Sequence, residues 1–234
     1  MRRIGFSTGA IARGDFRTAL TRMQEHDIEA VELSALRIDE LVPLIEALPS
    51  LDLHQFTYVS IHAPSRFPPH LEPWLTAQLG ELAANGYPVV VHPDAILQPD
   101  FWRPLGNKLL IENMDKRKPI GRTVAELRGF FGCLPAARFC FDIGHARQID
   151  PTMIEASLLL AAFGDRLAQV HMSEVNTASR HDPISLNAVM AFNAIAGSIP
   201  DEIPIILESL IDQGQSSIAF ELMRAREALA PVAV

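Results

Sequence analysis

The sequence contains few cysteines and lacks any long apolar segment. Two cysteines in 234 residues cannot build a disulfide framework, so we expect free thiols in a cytoplasmic protein. Apolar stretches such as 158–163 are far shorter than the roughly 20 residues that cross a bilayer. The first 15 residues include no apolar core of the kind found in signal peptides. These absences argue against a membrane protein and against a secreted one.

An excess of positive charge is also absent. The formal net charge is −8, which argues against broad binding to nucleic acid and favours a small-molecule substrate. Hydrophobic residues make up 48% of the chain and charged residues 21%, as expected for a folded protein. Since α/β barrels commonly have roughly 200 to 250 residues in one domain, we expect a single domain over residues 1–234. The sequence leaves its oligomeric state open.

Short apolar runs alternate along the chain with amphipathic helical patterns. The runs predict eight strands, at 4–6, 30–33, 59–62, 89–92, 109–112, 139–142, 168–171 and 205–208. The helical patterns predict helices at 16–25, 38–48, 74–84, 124–131, 153–163, 186–195 and 218–229. Three prolines fall between the fourth and fifth strands, so we expect only a short helix there. Eight alternating units in this length predict an α/β fold, a (β/α)8 TIM barrel.

Most of the predicted strands end on a side chain that can bind a metal ion. Six of the eight runs do so, ending on His62, His92, Glu112, Asp142, His171 and Glu208. The C-terminal ends of barrel strands form one mouth, where active sites of this fold lie. Carboxylates crowded at one mouth repel each other unless a cation neutralises them. The pattern therefore predicts a metal centre.

Two more histidines, His145 and His181, follow the sixth and seventh runs and are further candidate ligands. Mixed imidazole and carboxylate ligands suit Zn²⁺, Mn²⁺, Fe²⁺ or Co²⁺. One catalytic ion needs about three or four protein ligands. The eight candidates could thus hold one to three divalent ions, with Glu112 or Glu208 bridging two of them.

Other polar residues near the strand ends are candidates for substrate binding. Glu32 lies in the second run and Asn113 directly follows the fifth. Three cations, Arg66, Lys116 and Arg180, follow the third, fifth and seventh runs and could bind a phosphate. The alternative for these cations is a solvated rim, because acidic residues occur in the same loops.

Six segments of the chain resemble the xylose isomerase-like TIM barrel superfamily. They are SIHAP (60–64), VVVHP (89–93), LLIENMD (109–115), FDIGHA (141–146), VHM (170–172) and ILES (206–209). The superfamily includes sugar and sugar-phosphate isomerases and epimerases, and also endonuclease IV. The resemblance covers almost the whole chain, and it implies one ion held by Glu112, Asp142, His171 and Glu208. It also implies that His145 faces the substrate.

The endonuclease-like members of the superfamily have additional metal ligands. The resemblance assigns His62 and His92 to two of these positions. A third motif, Asp-x-His in the loop after the seventh strand, is not preserved, because the loop here reads Ser179, Arg180, His181. The departure makes a third ion doubtful, and His181 the least secure ligand.

Two enzymatic functions are compatible with this sequence, and a ligand-binding barrel without catalysis is a third hypothesis. An isomerase or epimerase of a small sugar or sugar phosphate would polarise a carbonyl with its metal ion. Glu112 and Glu208 would then pass a proton between carbon atoms, with His145 as the third catalytic candidate. An endonuclease IV-like phosphoester hydrolase would activate water with two or more ions. The four matching ligands favour the isomerase, which leaves His62 and His92 without a role.

Overall fold

Eight parallel strands form a closed barrel in the computed structural model, which describes residues 2–211 and 216–230. The strands are β1 (Ile4–Ser7), β2 (Ala30–Ser34), β3 (Tyr58–His62), β4 (Val89–Val91), β5 (Leu109–Glu112), β6 (Arg138–Asp142), β7 (Leu167–Met172) and β10 (Ile205–Leu207). Two short strands, β8 (Glu174–Val175) and β9 (His181–Asp182), form an antiparallel hairpin after β7. Pairing of β10 with both β1 and β7 closes the barrel. The predicted (β/α)8 architecture is confirmed.

Each barrel strand is followed by at least one helix. The helices are α1 (Thr8–Ala12), α2 (Phe16–Met23), α3 (Ile38–Ala47), α4 (Glu72–Ala84), α5 (Pro99–Trp102), α6 (Val124–Cys133), α7 (Ile143–Ile149), α8 (Ile154–Phe163), α9 (Leu186–Ala196) and α10 (Ile218–Leu229). The helix after β4 is one turn long, as the prolines predicted. Two short helices, α1 and α7, were not predicted. In the part of the chain described, no helix is long and apolar enough to cross a membrane.

Alternation along the strands decides which side chains reach the mouth formed by their C-terminal ends. Val90, Leu110 and Cys140 form a small apolar cluster of their own, whereas their neighbours on the same strands belong to the main core beneath the helices. Since side chains of a strand alternate between two faces, these three point into the barrel. His92, Glu112 and Asp142 come two positions later on the same three segments, so their side chains also point into the barrel.

Gly5 on β1 permits the close approach of β2. A Cβ atom at this position would lie 1.6 Å from the carbonyl oxygen of Ala30, an atom that cannot move without disrupting the paired strands. We expect Gly5→Ala to lower the free energy of unfolding by about 3 kcal/mol or more, measured by urea denaturation. Gly80→Ala is the control, because a Cβ there meets open space and alanine favours a helix by about 0.5–1 kcal/mol. Equal stability of the two variants would contradict this explanation.

Candidate metal centre

Glu112, at the end of β5, lies at the centre of the candidate ligands. Its Oε2 atom is 3.4 Å from Nε2 of both His62 and His92. Its Oε1 atom is 3.3 Å from Nδ1 of His145 and 3.4 Å from Nδ1 of His171. The side chain is almost completely buried. One carboxylate thus presents its two oxygens to two different sets of imidazoles.

The candidate ligands form overlapping groups around Glu112. The potential ligand atoms within each group all lie within 4.8 Å of one another. One group consists of His62, His92 and Glu112, and a second consists of Glu112, Asp142, His171 and Glu208. Glu112 is the member that these two groups share.

A third group contains only three residues, Asp142, His145 and His181. Ser179, at the position where the motif of the endonuclease-like members has Asp, does not join it. The Ser179 hydroxyl instead accepts a hydrogen bond from Nε2 of Gln148 at 2.8 Å. Like the first group, this group has a single carboxylate and shares it with the second group.

The unpaired atoms of this cluster fit a divalent cation. Buried polar atoms without a hydrogen-bond partner include Glu112 Oε2, Asp142 Oδ2, His171 Nδ1 and Glu208 Oε2. An unsatisfied buried polar group costs about 1–3 kcal/mol, so each of these atoms would be stabilised by a cation in contact with it. Ligand atoms about 2.0–2.1 Å from one tetrahedral ion lie about 3.3–3.4 Å apart, which matches the nitrogen–oxygen distances around Glu112. These buried groups could bind a metal ion.

The short sequence DIGHA builds one edge of the centre. Asp142 ends β6, and its Oδ1 atom accepts a hydrogen bond from the backbone N–H of His145 at 2.6 Å, which caps α7. Gly144 is required because a Cβ there would lie 2.4 Å from the carbonyl oxygen of Ser173. The cap leaves Asp142 Oδ2 directed at Nδ1 of His145, at 3.2 Å. A tight turn thereby holds a carboxylate and an imidazole side by side.

Crowding of carboxylates changes the proton affinity of the cluster. Burial, with Glu112 and other carboxylates close by, raises the pKa of Glu208 to about 8. Burial likewise raises the pKa of Asp142 to about 6. Burial lowers the pKa of His145, but the carboxylates of Asp142 and Glu112 outweigh it and raise that pKa to about 10. The mouth therefore attracts positive charge, as protons or as a metal cation.

Comparison with solved structures identifies the fold to which this mouth belongs. The 3-keto-D-glucoside 4-epimerase of E. coli aligns with a TM-score of 0.65 and 14% identity over 98% of this chain and 100% of that one. Endonuclease IV of Thermus thermophilus aligns with a TM-score of 0.58 and 19% identity over 96% of each chain. D-psicose 3-epimerase of Clostridium cellulolyticum aligns with a TM-score of 0.56 and 11% identity over 98% of this chain and 96% of that one.

This chain has the TIM-barrel fold of these enzymes. No protein-family profile and no curated protein matches its sequence. The predicted resemblance is confirmed at the level of the fold. Because the similar solved structures include both epimerases and endonuclease IV, the fold alone leaves the reaction open.

Two residues expected to bind substrate lie beneath the mouth of the barrel instead. Glu32 is fully buried, and its Oε2 atom is 3.1 Å from Nε2 of His171 and 2.7 Å from Nε2 of Gln169. Asn113 is also fully buried, and its side-chain amide forms two 2.8 Å hydrogen bonds with the backbone of Asp142. Neither residue reaches the cavity, so both are better explained as holding ligands in place.

A cavity of about 450 Å³ lies above the candidate ligands. Of the cations expected to bind substrate, Arg66 and Arg180 line it. Lys116 is exposed and does not line it, and its neighbours Arg117 and Lys118 do so instead. Those two neighbours are ion-paired with aspartates at 2.7 and 2.8 Å. Arg66 has no acidic partner among residues 2–211 and 216–230, so its charge is available to a ligand.

Glu32 holds the imidazole ring of His171 in position. Because Glu32 contacts Nε2 of this ring, the second nitrogen, Nδ1, points towards Glu112 and Glu208 and lies 3.4 Å from an oxygen of each. The Oε1 atom of Glu32 has no hydrogen-bond partner, and a Glu32 oxygen lies within 4.8 Å of ligand atoms of His62 and Glu208. We expect Glu32→Gln to weaken metal binding about 10- to 100-fold, measured by competition with a chromophoric chelator. Glu72→Gln is the matched control, because Glu72 is equally buried and hydrogen-bonds Trp102 rather than a candidate ligand. An unchanged affinity in the Glu32 variant would refute this role.

Proposed function

We propose that this protein is a phosphoester hydrolase that uses two divalent metal ions. The proposal rests on the position of Glu112, whose two carboxylate oxygens face two different groups of candidate ligands. Oε2 of Glu112 faces His62 and His92, whereas Oε1 faces His171. A carboxylate that offers one oxygen to each group could serve two ions, and a pair of ions can stabilise both the attacking and the leaving oxygen of phosphoryl transfer. An isomerase with one ion needs only the second group, and it leaves His62 and His92 unexplained.

The residues present fit such a pair of ions. His62, His92 and Glu112 would hold one, and Glu112, Asp142, His171 and Glu208 would hold the other. When bound, divalent ions act as Lewis acids that polarise a phosphoryl oxygen and lower the pKa of water. Zinc suits these nitrogen and oxygen donors, and Mn²⁺, Fe²⁺ and Co²⁺ are the alternatives.

The remaining residues of the mouth would bind and orient the substrate. Guanidinium groups bind phosphate oxygens through paired N–H donors, and Arg66 and Arg180 line the cavity above the ligands. A volume of about 450 Å³ is in the range of small-molecule sites. Together with the net charge of −8, this size favours a small phosphoester over duplex nucleic acid.

The metal content of the protein tests the proposal directly. We expect two ions per chain by elemental analysis of protein purified without chelator, and hydrolysis of a chromogenic phosphodiester or phosphomonoester. Chelation should abolish this hydrolysis, and readdition of Zn²⁺ or Mn²⁺ should restore it. One ion per chain, with no hydrolysis of either ester class, would overturn the proposal.

The isomerase remains the second candidate because of one specific observation. Glu112 and Glu208 each lie 3.4 Å from Nδ1 of His171, so two carboxylates that could pass a proton lie beside one candidate ligand. Two of the similar solved structures are also epimerases. Incubation of candidate sugars in deuterated water separates the two functions. Deuterium incorporation at carbon supports the isomerase, since phosphoester hydrolysis leaves carbon-bound hydrogen in place.

A further inference from the structure

The opposite end of the barrel contains a second polar cavity, of about 360 Å³. Three cations, Arg3, Lys108 and Arg138, line it at the starts of β1, β5 and β6. All three are half-buried, and Tyr58 at the start of β3 lies among them. The active sites of TIM barrels lie at the other face, so this cavity is separate from the metal centre.

The positive charge of this cavity is not balanced by the protein. Within the described ranges, none of the three cations forms an ion pair, and their hydrogen bonds are made to backbone carbonyl oxygens. The one acidic residue that lines the cavity, Glu202, contacts Arg3 only through its backbone carbonyl. By contrast, Arg117 and Lys118 at the mouth are both paired with aspartates. Like charges held in one half-buried cavity repel each other unless an anion lies between them.

The chemistry of the three cations selects the class of anion. Two guanidinium groups and one ammonium group offer several N–H donors, which suits the multiple oxygens of a phosphate. The Arg3 guanidinium stacks on Tyr58, 5.7 Å from the ring centroid, so it is already oriented. The volume admits a small molecule rather than a polymer. We propose that this cavity binds a small phosphate-bearing anion between Arg3, Lys108 and Arg138, independently of the reaction at the mouth.

Phosphate-binding stoichiometry tests this site in the metal-loaded protein. Equilibrium dialysis with radiolabelled inorganic phosphate should give one more bound phosphate in the unmodified protein than in the double variant Arg3→Gln, Lys108→Gln. Arg138 is retained because it hydrogen-bonds the backbone carbonyl oxygens of Arg166 and Leu167 beside β7. Each charged hydrogen bond removed should weaken binding about 10-fold or more, so the double variant should lose the site. Phosphate bound at the mouth is unaffected by these changes, which separates this test from that of the hydrolase.

The double variant Arg17→Gln, Arg128→Gln is the matched control. It removes the same positive charge from two exposed side chains on the outer helices, and it should bind phosphate like the unmodified protein. Loss of the same phosphate in the control, or its retention in the Arg3 and Lys108 variant, would overturn the proposal. If that variant does not fold, crystals of the unmodified protein soaked in tungstate provide the second measurement. An anomalous-scattering peak from tungsten is expected between the three cations. The absence of such a peak at this end of the barrel would refute the site.

Discussion

Replacement of both His62 and His92 by alanine is expected to remove one metal ion per chain and to abolish hydrolysis. These imidazoles are the only ligands that the first group does not share with the second. Since the Lewis acidity of an ion contributes several kcal/mol to the transition state, we expect the rate of phosphoester hydrolysis to fall about 1,000-fold or more. Glu112, Asp142, His171 and Glu208 should still hold the remaining ion.

Elemental analysis and initial rates of ester hydrolysis measure the two parts of this expectation. The double variant His54→Ala, His70→Ala is the control, because it removes two imidazoles that are exposed and lie outside every candidate ligand group. It should keep both ions and full activity. If the variant lacking His62 and His92 also kept both ions, those histidines would not be ligands. A single ion in the unmodified protein, unchanged in the variant, would support the isomerase.

Glu112→Gln is expected to affect both ions at once. Glutamine keeps the shape of the side chain, but it carries no charge and only one acceptor oxygen. Since each group of candidate ligands faces a different oxygen of Glu112, glutamine can offer an oxygen to only one of them, and without a negative charge. We expect loss of activity by about 1,000-fold or more, and we expect added Zn²⁺ to raise the melting temperature of the unmodified protein but not that of the variant.

The fold should survive this substitution, because Glu112 makes its contacts with other ligands rather than with the apolar core. Circular dichroism of the metal-free protein checks this point. Glu221→Gln is the matched control, since Glu221 is equally buried but hydrogen-bonds Ser216 and the backbone of Ile184. A Glu112 variant that still bound two ions as tightly as the unmodified protein would exclude a bridging carboxylate.

The sequence predicted the strands, and the side chains that lie at their C-terminal ends, because both follow from local rules. Alternation fixes which residues of a run face inward, and closure of a barrel brings the ends of parallel strands together. His92, Glu112 and Asp142 could therefore be assigned to one mouth without knowledge of any long-range contact. Helix α7 could also have been found, since an aspartate that ends a strand is a favoured N-cap.

The positions of Glu32 and Asn113 could not be predicted in the same way. Glu32 meets His171 across 139 positions of sequence, and that contact depends on the register of the whole barrel. Whether a polar residue near a strand end lies in the cavity or beneath it depends on its height along the barrel axis. The same limit applies to the loop after β5, whose conformation directs Arg117 and Lys118 towards the cavity and Lys116 away from it.

The shared position of Glu112 would also set the order in which the proposed pair of ions binds. The second group has three candidate ligands besides Glu112, whereas the first has only two, so we expect scarce metal to fill the second group first. An ion there would withdraw negative charge from the shared carboxylate and so lower the affinity of the other group. We therefore expect stepwise loading, with a population that carries one ion per chain before hydrolysis begins. Activity should rise with metal concentration only after a lag, so that the supply of the second ion limits how much of the protein can work.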